Sequence, residues 1–387
     1  MSDLQALLLV LAVVYCWECL AWLRRGTVAF LAGWGNRWRL VHPAALVGNQ
    51  SGGLVLAWPL PPLGTFHTAS QWPLSISADG VYSYVAQCVN PGWRPAQPGK
   101  YFQFEAIQKI EAPGKEVRVN GELFLRTDSP FVARRVAALL RQAAKLSANE
   151  RARAIQKLLR ESLDVPAVRE RLKDFNRRAS TLRNIANFLF AYLFLIAPAC
   201  VWYFGFRRSW LELLVGLLLL TTTAAVLFHR AHKALYPEAD EERFTHSILI
   251  LLSPATAVRA RDALSRPLLE AFHPLAVARA LLPAERFNEF ARKILLEIRH
   301  PCLPVCPATE PGPRLTEDRS RAALREVVEQ FLQSNGINPA DLLKPPRPAD
   351  ESCRSFCPRC QAQFVAAEGV CADCGGLPLN AFTEQTH

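Results

Sequence analysis

The apolar positions of this chain fall into three patterns. Residues 4–23, 185–204 and 211–228 are nearly unbroken apolar runs, with Glu18 alone inside the first and Glu212 at the start of the third. A helix rises ~1.5 Å per residue, so about 20 such residues cross ~30 Å of hydrocarbon, and each run predicts a transmembrane helix. Between residues 54 and 126 the runs are short, rich in β-formers and divided by Gly, Pro and Asp: 54–58, 74–77, 81–89, 101–110 and 116–126. These predict strands. Elsewhere the apolar residues recur at helical spacing. Phe131, Val132, Val136, Leu139 and Leu140 make one stripe, and Phe287, Phe290, Ile294, Leu295 and Ile298 another.

Local signals sharpen the elements. Asn120-Gly121 marks a hairpin turn. A two-residue loop would mix the faces, so a three-residue loop over 120–122 is expected, with Val117, Val119, Leu123 and Leu125 on one face. Ser129-Pro130 reads as a helix cap and first turn. Ser147 and Glu150 form a capping box that opens a basic helix carrying Ile155, Leu158, Leu159 and Leu163. That helix is interrupted at 164–166, and a new one runs from Ala167 into the second span. After the third span, residues 244–252 are apolar but too few to cross, and amphipathic helices follow, broken at Pro267, Pro274 and Pro283. Residues 301–313 hold five prolines and read as a linker. A helix from about Thr316 to Ser334 stops at Asn335-Gly336, and 343–351 reads as an extended tether.

Composition and charge add the setting. The 387 residues are 50% hydrophobic and 20% charged, more apolar than ordinary soluble domains, which excludes a disordered chain. Residues 24–184 carry 24 basic and 11 acidic side chains, and residues 229–387 carry 19 and 20. The basic surplus places the first of these segments in the cytoplasm. Three spans then put the N-terminus outside and the C-terminus inside. The first run lacks a basic n-region and a small-x-small site and is closed by Arg24 and Arg25, so a retained anchor is expected rather than a signal peptide.

One motif carries chemistry. Cys357-Pro358-Arg359-Cys360 is followed, ten residues on, by Cys371-Ala372-Asp373-Cys374-Gly375-Gly376. Two C-x2-C knuckles bridged by a hairpin would make a tetrahedral site of four thiolates, which favours one structural Zn2+ with no open position. Two disulfides are the alternative, disfavoured in reducing cytoplasm. Cys353 is expected to stay free, and Gln361 stands where many such knuckles have glycine. The motif resembles the short zinc ribbons of many bacterial proteins, and that resemblance implies a bacterial inner membrane. The strands, the Asn-Gly hairpin and the closing helix of residues ~50–147 resemble a bacterial PH-like domain, which implies a binding or assembly module.

Other candidates have blander readings. Cys16 and Cys19 share a helix face in the first span and read as packing residues. Glu18 lies about 9 Å from Arg24 and can reach the interface. His300, Cys302 and Cys306 make a weak metal cluster, and His229 and His232 flank a membrane end. No nucleotide loop, nucleophile elbow or metalloprotease motif occurs, so no catalytic residue and no small-molecule substrate are predicted.

The fold expected is an α+β integral membrane protein with three transmembrane helices, a cytoplasmic β-rich PH-like domain closed by a helix, a cytoplasmic helical region and a zinc ribbon. Its segments are 1–25 (N-terminal transmembrane helix), 26–148 (β-rich domain), 149–184 (basic connector), 185–233 (transmembrane hairpin), 234–300 (amphipathic helices), 301–352 (Pro-rich linker with one helix) and 353–387 (ribbon). The function expected is a non-enzymatic scaffold or recruitment protein contacting membrane lipid and protein partners. The alternatives are a membrane enzyme or transporter component using Glu18, and a membrane-tethered nucleic-acid binder. The latter is disfavoured because no aromatic or Gly-rich reader accompanies the arginines.

Overall fold

The computed structural model describes residues 3–21, 27–32, 38–41, 65–69, 74–89, 92–127, 130–300 and 311–382. In chain order, helix α1 (Asp3–Ala21) precedes strands β1 (Thr27–Ala32), β2 (Trp38–Val41) and β3 (Thr65–Ala69). Strands β4 (Leu74–Ile76), β5 (Gly80–Val89), β6 (Gly92–Gln103), β7 (Ile110–Glu111), β8 (Glu116–Val119) and β9 (Glu122–Arg126) follow. Then come helices α2 (Pro130–Ala144), α3 (Ala148–Ser162), α4 (Val165–Ala191), α5 (Ala197–Phe204), α6 (Phe206–Leu235), α7 (Asp240–Leu252), α8 (Pro254–Val258), α9 (Ala260–Ser265), α10 (Pro274–Leu281), α11 (Ala284–Arg299), α12 (Pro311–Ser334) and α13 (Pro339–Leu342). Short strands β10 (Ser355–Phe356), β11 (Gln363–Phe364), β12 (Val370–Cys371), β13 (Leu377–Pro378) and β14 (Asn380–Ala381) close the chain. The strand expected at 54–58 and the cap at Ser129 lie outside the described residues.

The chain divides into two compact units, residues 1–70 with 165–274, and residues 71–164 with 275–387. The segment 26–148 therefore contributes to both.

In the first unit, two helices are long and apolar enough to cross a membrane, Val165–Phe204 and Phe206–Leu235. The new helix after residue 164 does run without a break into the second apolar run. It passes through one π-helical turn (Tyr192–Ile196), next to Pro198, which has no N–H to continue the ladder. The hairpin turns on one residue, Gly205, at φ 76°. Its helices meet closely at Gly216, where a Cβ would lie 2.6 Å from the Tyr192 hydroxyl, which donates to the Leu213 carbonyl at 2.8 Å. Among the described residues two helices, and not the three expected, are long and apolar enough to cross a membrane. Helix α1 forms over Asp3–Ala21, and its apolar stretch among the described residues is Leu4–Tyr15. Tyr15 packs on the rings of Phe190 and Phe194, with centroids at 5.6 and 5.4 Å. The side chains of Cys16, Glu18 and Cys19 lie outside the described residues.

In the second unit, residues 71–164 contain two three-stranded antiparallel sheets, β4-β5-β6 and β7-β8-β9, and the tail adds a third, β11-β10-β14. Val81, Phe104, Ile110, Val117, Val119, Phe124, Val136 and Leu140 meet in the shared core of the first two. The run expected as one strand over 101–110 is broken. Its chain leaves β6 through a 3-10 turn at Phe104–Ala106, where the Phe104 N–H bonds to the Asp79 carbonyl at 3.0 Å, and so moves to the other sheet. The three-residue hairpin loop is also corrected. Val119 pairs with Glu122, and Asn120 (φ 51°) and Gly121 (φ 85°) form a two-residue turn. The faces are restored by a bulge: Val117 pairs Leu125 and Arg118 pairs Leu123, leaving Phe124 as the extra residue. On α2, Val136 and Leu140 are buried as expected, but Leu139 is exposed.

Helix α12 starts at Pro311, five residues before the expected Thr316, and packs on β4 and β5 rather than standing alone in a linker. Arg319 pairs with Asp79, the Ser77 and Thr316 hydroxyls are 3.5 Å apart, and the Ile76 N–H donates to Ser320 Oγ at 3.4 Å. Arg151, on the helix expected to be basic, is 3% exposed. Its guanidinium lies 4.0 Å over the Phe104 ring and donates to the carbonyls of Ala143 (3.0 Å), Leu146 (2.8 Å) and Ala78.

Candidate metal centre

The tail holds the described chain's one cluster able to bind a metal ion. The Sγ atoms of Cys357, Cys360, Cys371 and Cys374 all lie within 4.8 Å of one another. Cys357, Cys371 and Cys374 are buried, and Cys360 is exposed. The backbone builds both knuckles. The Gln361 N–H donates to the Cys357 carbonyl and the Gly376 N–H to the Cys371 carbonyl, each at 2.9 Å. Each turn needs left-handed backbone, which Gly375 (φ 71°) and Gly376 (φ 85°) adopt at little cost. Gln361 adopts φ 61° at the position where glycine is common in such knuckles. Strands β10–β11 and β10–β14 pair around the first knuckle and β12–β13 around the second. Phe364, Leu377 and Leu379 pack over the sulfurs.

The donor set fits one soft divalent ion. A tetrahedron with metal–sulfur bonds of about 2.3 Å has edges of about 3.8 Å, and Cys360 and Cys371 Sγ are 3.7 Å apart. A disulfide needs about 2.05 Å, and all four cysteines are free. Without a cation, four thiolates this close repel. Although Cys360 as a residue is exposed, desolvation of its sulfur by the surrounding protein pushes that thiol up to about 11. Burial and then the Cys360 sulfur raise Cys374 as well. At Cys357 burial acts the same way, but the N–H groups of Cys360 and Arg359, together with the Cys360 and Cys374 thiols, outweigh it and hold that thiol below its ordinary value. An ion bound here would offset this repulsion. Four protein ligands leave no open coordination position, so the centre can hold a fold together but cannot activate water.

The surroundings show how the centre is held. Residues 343–351, expected as an extended tether, bend at both ends and are fastened. Arg292 donates to the Lys344 carbonyl at 2.7 Å, and the Gln363 side chain accepts from the Ala349 N–H at 2.7 Å and donates to the Arg347 carbonyl at 2.8 Å. Sequence gave no sign of this, because Gln363 reads only as a strand residue. Cys353 is free and stands outside the cluster. His300 caps the end of α11, while Cys302 and Cys306 lie outside the described residues. His229 faces Ser247 Oγ at 3.5 Å, and His232 is buried beside the rings of Phe228 and Tyr236. Neither joins a metal cluster among the described residues. A second polar feature had no sequence signal: Arg259 and Asp262, both buried, pair at 3.1 Å.

No protein-family model, curated protein or solved structure matches this chain.

Proposed function

We propose that this chain is a membrane-anchored scaffold whose soluble unit, carrying a structural zinc ribbon and a PH-like module, recruits protein partners at the cytoplasmic face of a bacterial inner membrane. The observation that carries this reading is the make-up of the second unit. Residues 71–164 and 275–387 fold together, although the two helices suited to cross a membrane lie between them in sequence. An even number of crossings returns the chain to the side it left, so a hairpin lets both parts meet. The surplus of Lys and Arg in residues 24–184 makes that side the cytoplasm. A reducing compartment keeps the thiols available for metal, and zinc suits four thiolates. The closed donor set and the lack of a catalytic motif favour binding over chemistry.

The test is quantitative cross-linking capture from membranes expressing the wild type, a Cys357→Ser/Cys360→Ser variant and Glu18→Gln. A scaffold loses a defined set of partners in the cysteine variant, keeps them in Glu18→Gln, and keeps its membrane location in both. Identical capture from all three, or loss of partners and of ion flux with Glu18→Gln alone, would refute the reading. Metal analysis of the purified chain should give close to one zinc per chain, and a fusion reporter at residue 387 should report cytoplasm.

A further inference from the structure

Helix α7 differs from the other soluble-length helices in where its apolar residues point. Its first turn is Asp240, Glu241, Glu242 and Arg243, and its last six residues are Ser247-Ile248-Leu249-Ile250-Leu251-Leu252. Ile250 is buried, whereas Phe244, Ile248, Leu249, Leu251 and Leu252 are exposed, Phe244 at 65% and Leu252 at 74%. Polarity therefore changes along the axis more than around it. Such a helix suits a surface that is wet at one end and apolar at the other.

The neighbouring helix supplies the level. After a turn at residues 236–239, α7 folds back along α6, with Ser247 Oγ 3.5 Å from His229 Nδ1 and the His246 ring 6.0 Å from the Phe228 ring. The first four residues of α7 thus lie beside the polar end of α6, near Arg230 and Lys233. Five residues beyond Ser247, Leu252 lies about 8 Å further along, beside the apolar part of α6. There α6 also shows its apolar side chains outward, Val226 and Leu219 among them. The exposed apolar surface of α7 continues that of a helix long enough to cross a bilayer.

Part of the backbone at the tip is satisfied within the protein. The Ser253 N–H donates to the Leu249 carbonyl at 2.9 Å, Ser253 Oγ accepts from the Thr256 N–H at 3.2 Å, and the Ser253 carbonyl accepts from the Ala257 N–H at 2.9 Å. Pro254 has no N–H to satisfy. Each such bond lowers the cost of bringing this backbone against hydrocarbon. The chain then returns through α8, and its charges are kept inward: Arg259 pairs with Asp262 and lies 5.5 Å over the Tyr15 ring.

We propose that α7 and the start of α8 form a re-entrant wedge. It dips into the leaflet on the soluble side, and its exposed face is covered by lipid acyl chains. Interfacial helices bury to ~5–10 Å, which matches the reach of Leu252 past His229. The inference rests on α6 crossing the membrane.

The experiment is photo-crosslinking of the full chain in vesicles of phosphatidylethanolamine and phosphatidylglycerol. A diazirine analogue of phenylalanine is placed in turn at Leu252, at Phe244, at Leu219 within α6 and at Arg325 on α12. Phe244 is a near-isosteric site, which keeps the test meaningful should the Leu252 variant misfold. Lipid adducts at 252 and 244 reaching at least half the yield at 219, with background yield at 325, are expected. Adducts at 252 and 244 no higher than at 325, or adducts only to a second copy of the chain, overturn the wedge while 219 still labels. Failure of 219 itself overturns the membrane reading on which the wedge depends.

Discussion

Replacing Arg151 by alanine should loosen the second unit far more than loss of a surface arginine on a basic helix would. The guanidinium bonds three carbonyls, those of Ala143 and Leu146 at the end of α2 and that of Ala78 beside the β4–β5 turn, and lies over Phe104 in the core. Charge-assisted hydrogen bonds contribute about 1.5 kcal/mol each, and a desolvated cation–π contact about 1–2 kcal/mol. Their sum overstates the loss, because the carbonyls near the end of α2 can rehydrate once the side chain is gone. A net cost of about 3–4 kcal/mol remains, a large part of a domain's ~5–15 kcal/mol. The ion pair with Glu105 at 3.6 Å adds little, since that carboxylate is exposed. Lysine keeps the charge but cannot bridge three acceptors with one ammonium, so Arg151→Lys should recover less than half. Hydrogen exchange on the full chain in detergent reads this locally. Amides of β4, β5 and the end of α2 should lose about 100-fold protection or more in Arg151→Ala, at ~1.4 kcal/mol per tenfold. Less than a fivefold loss, or full rescue by lysine, would show that Arg151 is not the tie between these elements.

Three further outcomes follow from the same structure. Cys371→Ser should remove the bound metal and unfold residues 353–382, seen as zinc content near zero and rapid exchange of the ribbon amides, with the core of Val81 and Phe124 unaffected. Gln361→Gly should relieve the left-handed strain at φ 61° and stabilise the metal-bound ribbon by about 1 kcal/mol, measured by competition with a chelator; a weaker ribbon would mean the Gln361 side chain contributes more than its backbone costs. Glu317 on α12 is raised above its ordinary value by burial, against the pull of Arg321. The folded state then holds that proton more tightly than the unfolded chain, so stability falls as pH rises from the unfolded value through the raised one. Glu317→Gln should flatten that part of the pH dependence of the denaturation midpoint, and an unchanged slope would assign it to another group.

Much of this protein was legible because its signals are local. The α4–α5 and α6 hairpin follows from apolar runs of the right length, the α3 start from the Ser147–Glu150 capping box, and the four ligands from C-x2-C spacing. Helix α11 forms over the stripe 287–298 and starts after Pro283, because an apolar stripe at helical spacing and a preceding proline define it. Each of these depends on interactions within a few residues, and one sequence window contains them all.

Tertiary structure decided what depends on distant partners. The Asn120-Gly121 turn could take two residues because a bulge at Phe124 repaired the faces, and that bulge is set by what the core accepts. Helix α12 leaves no trace in sequence of its place on β4 and β5, since Ser77 and Thr316 meet across 239 residues. Leu139 is exposed although it lies on the expected stripe, and Arg151 is buried, for the same reason: helical periodicity gives a stripe, but only a neighbour's shape says what is covered. Local covalent spacing thus determined which residues can bind metal or sit in lipid, while packing between remote segments determined which surfaces are covered.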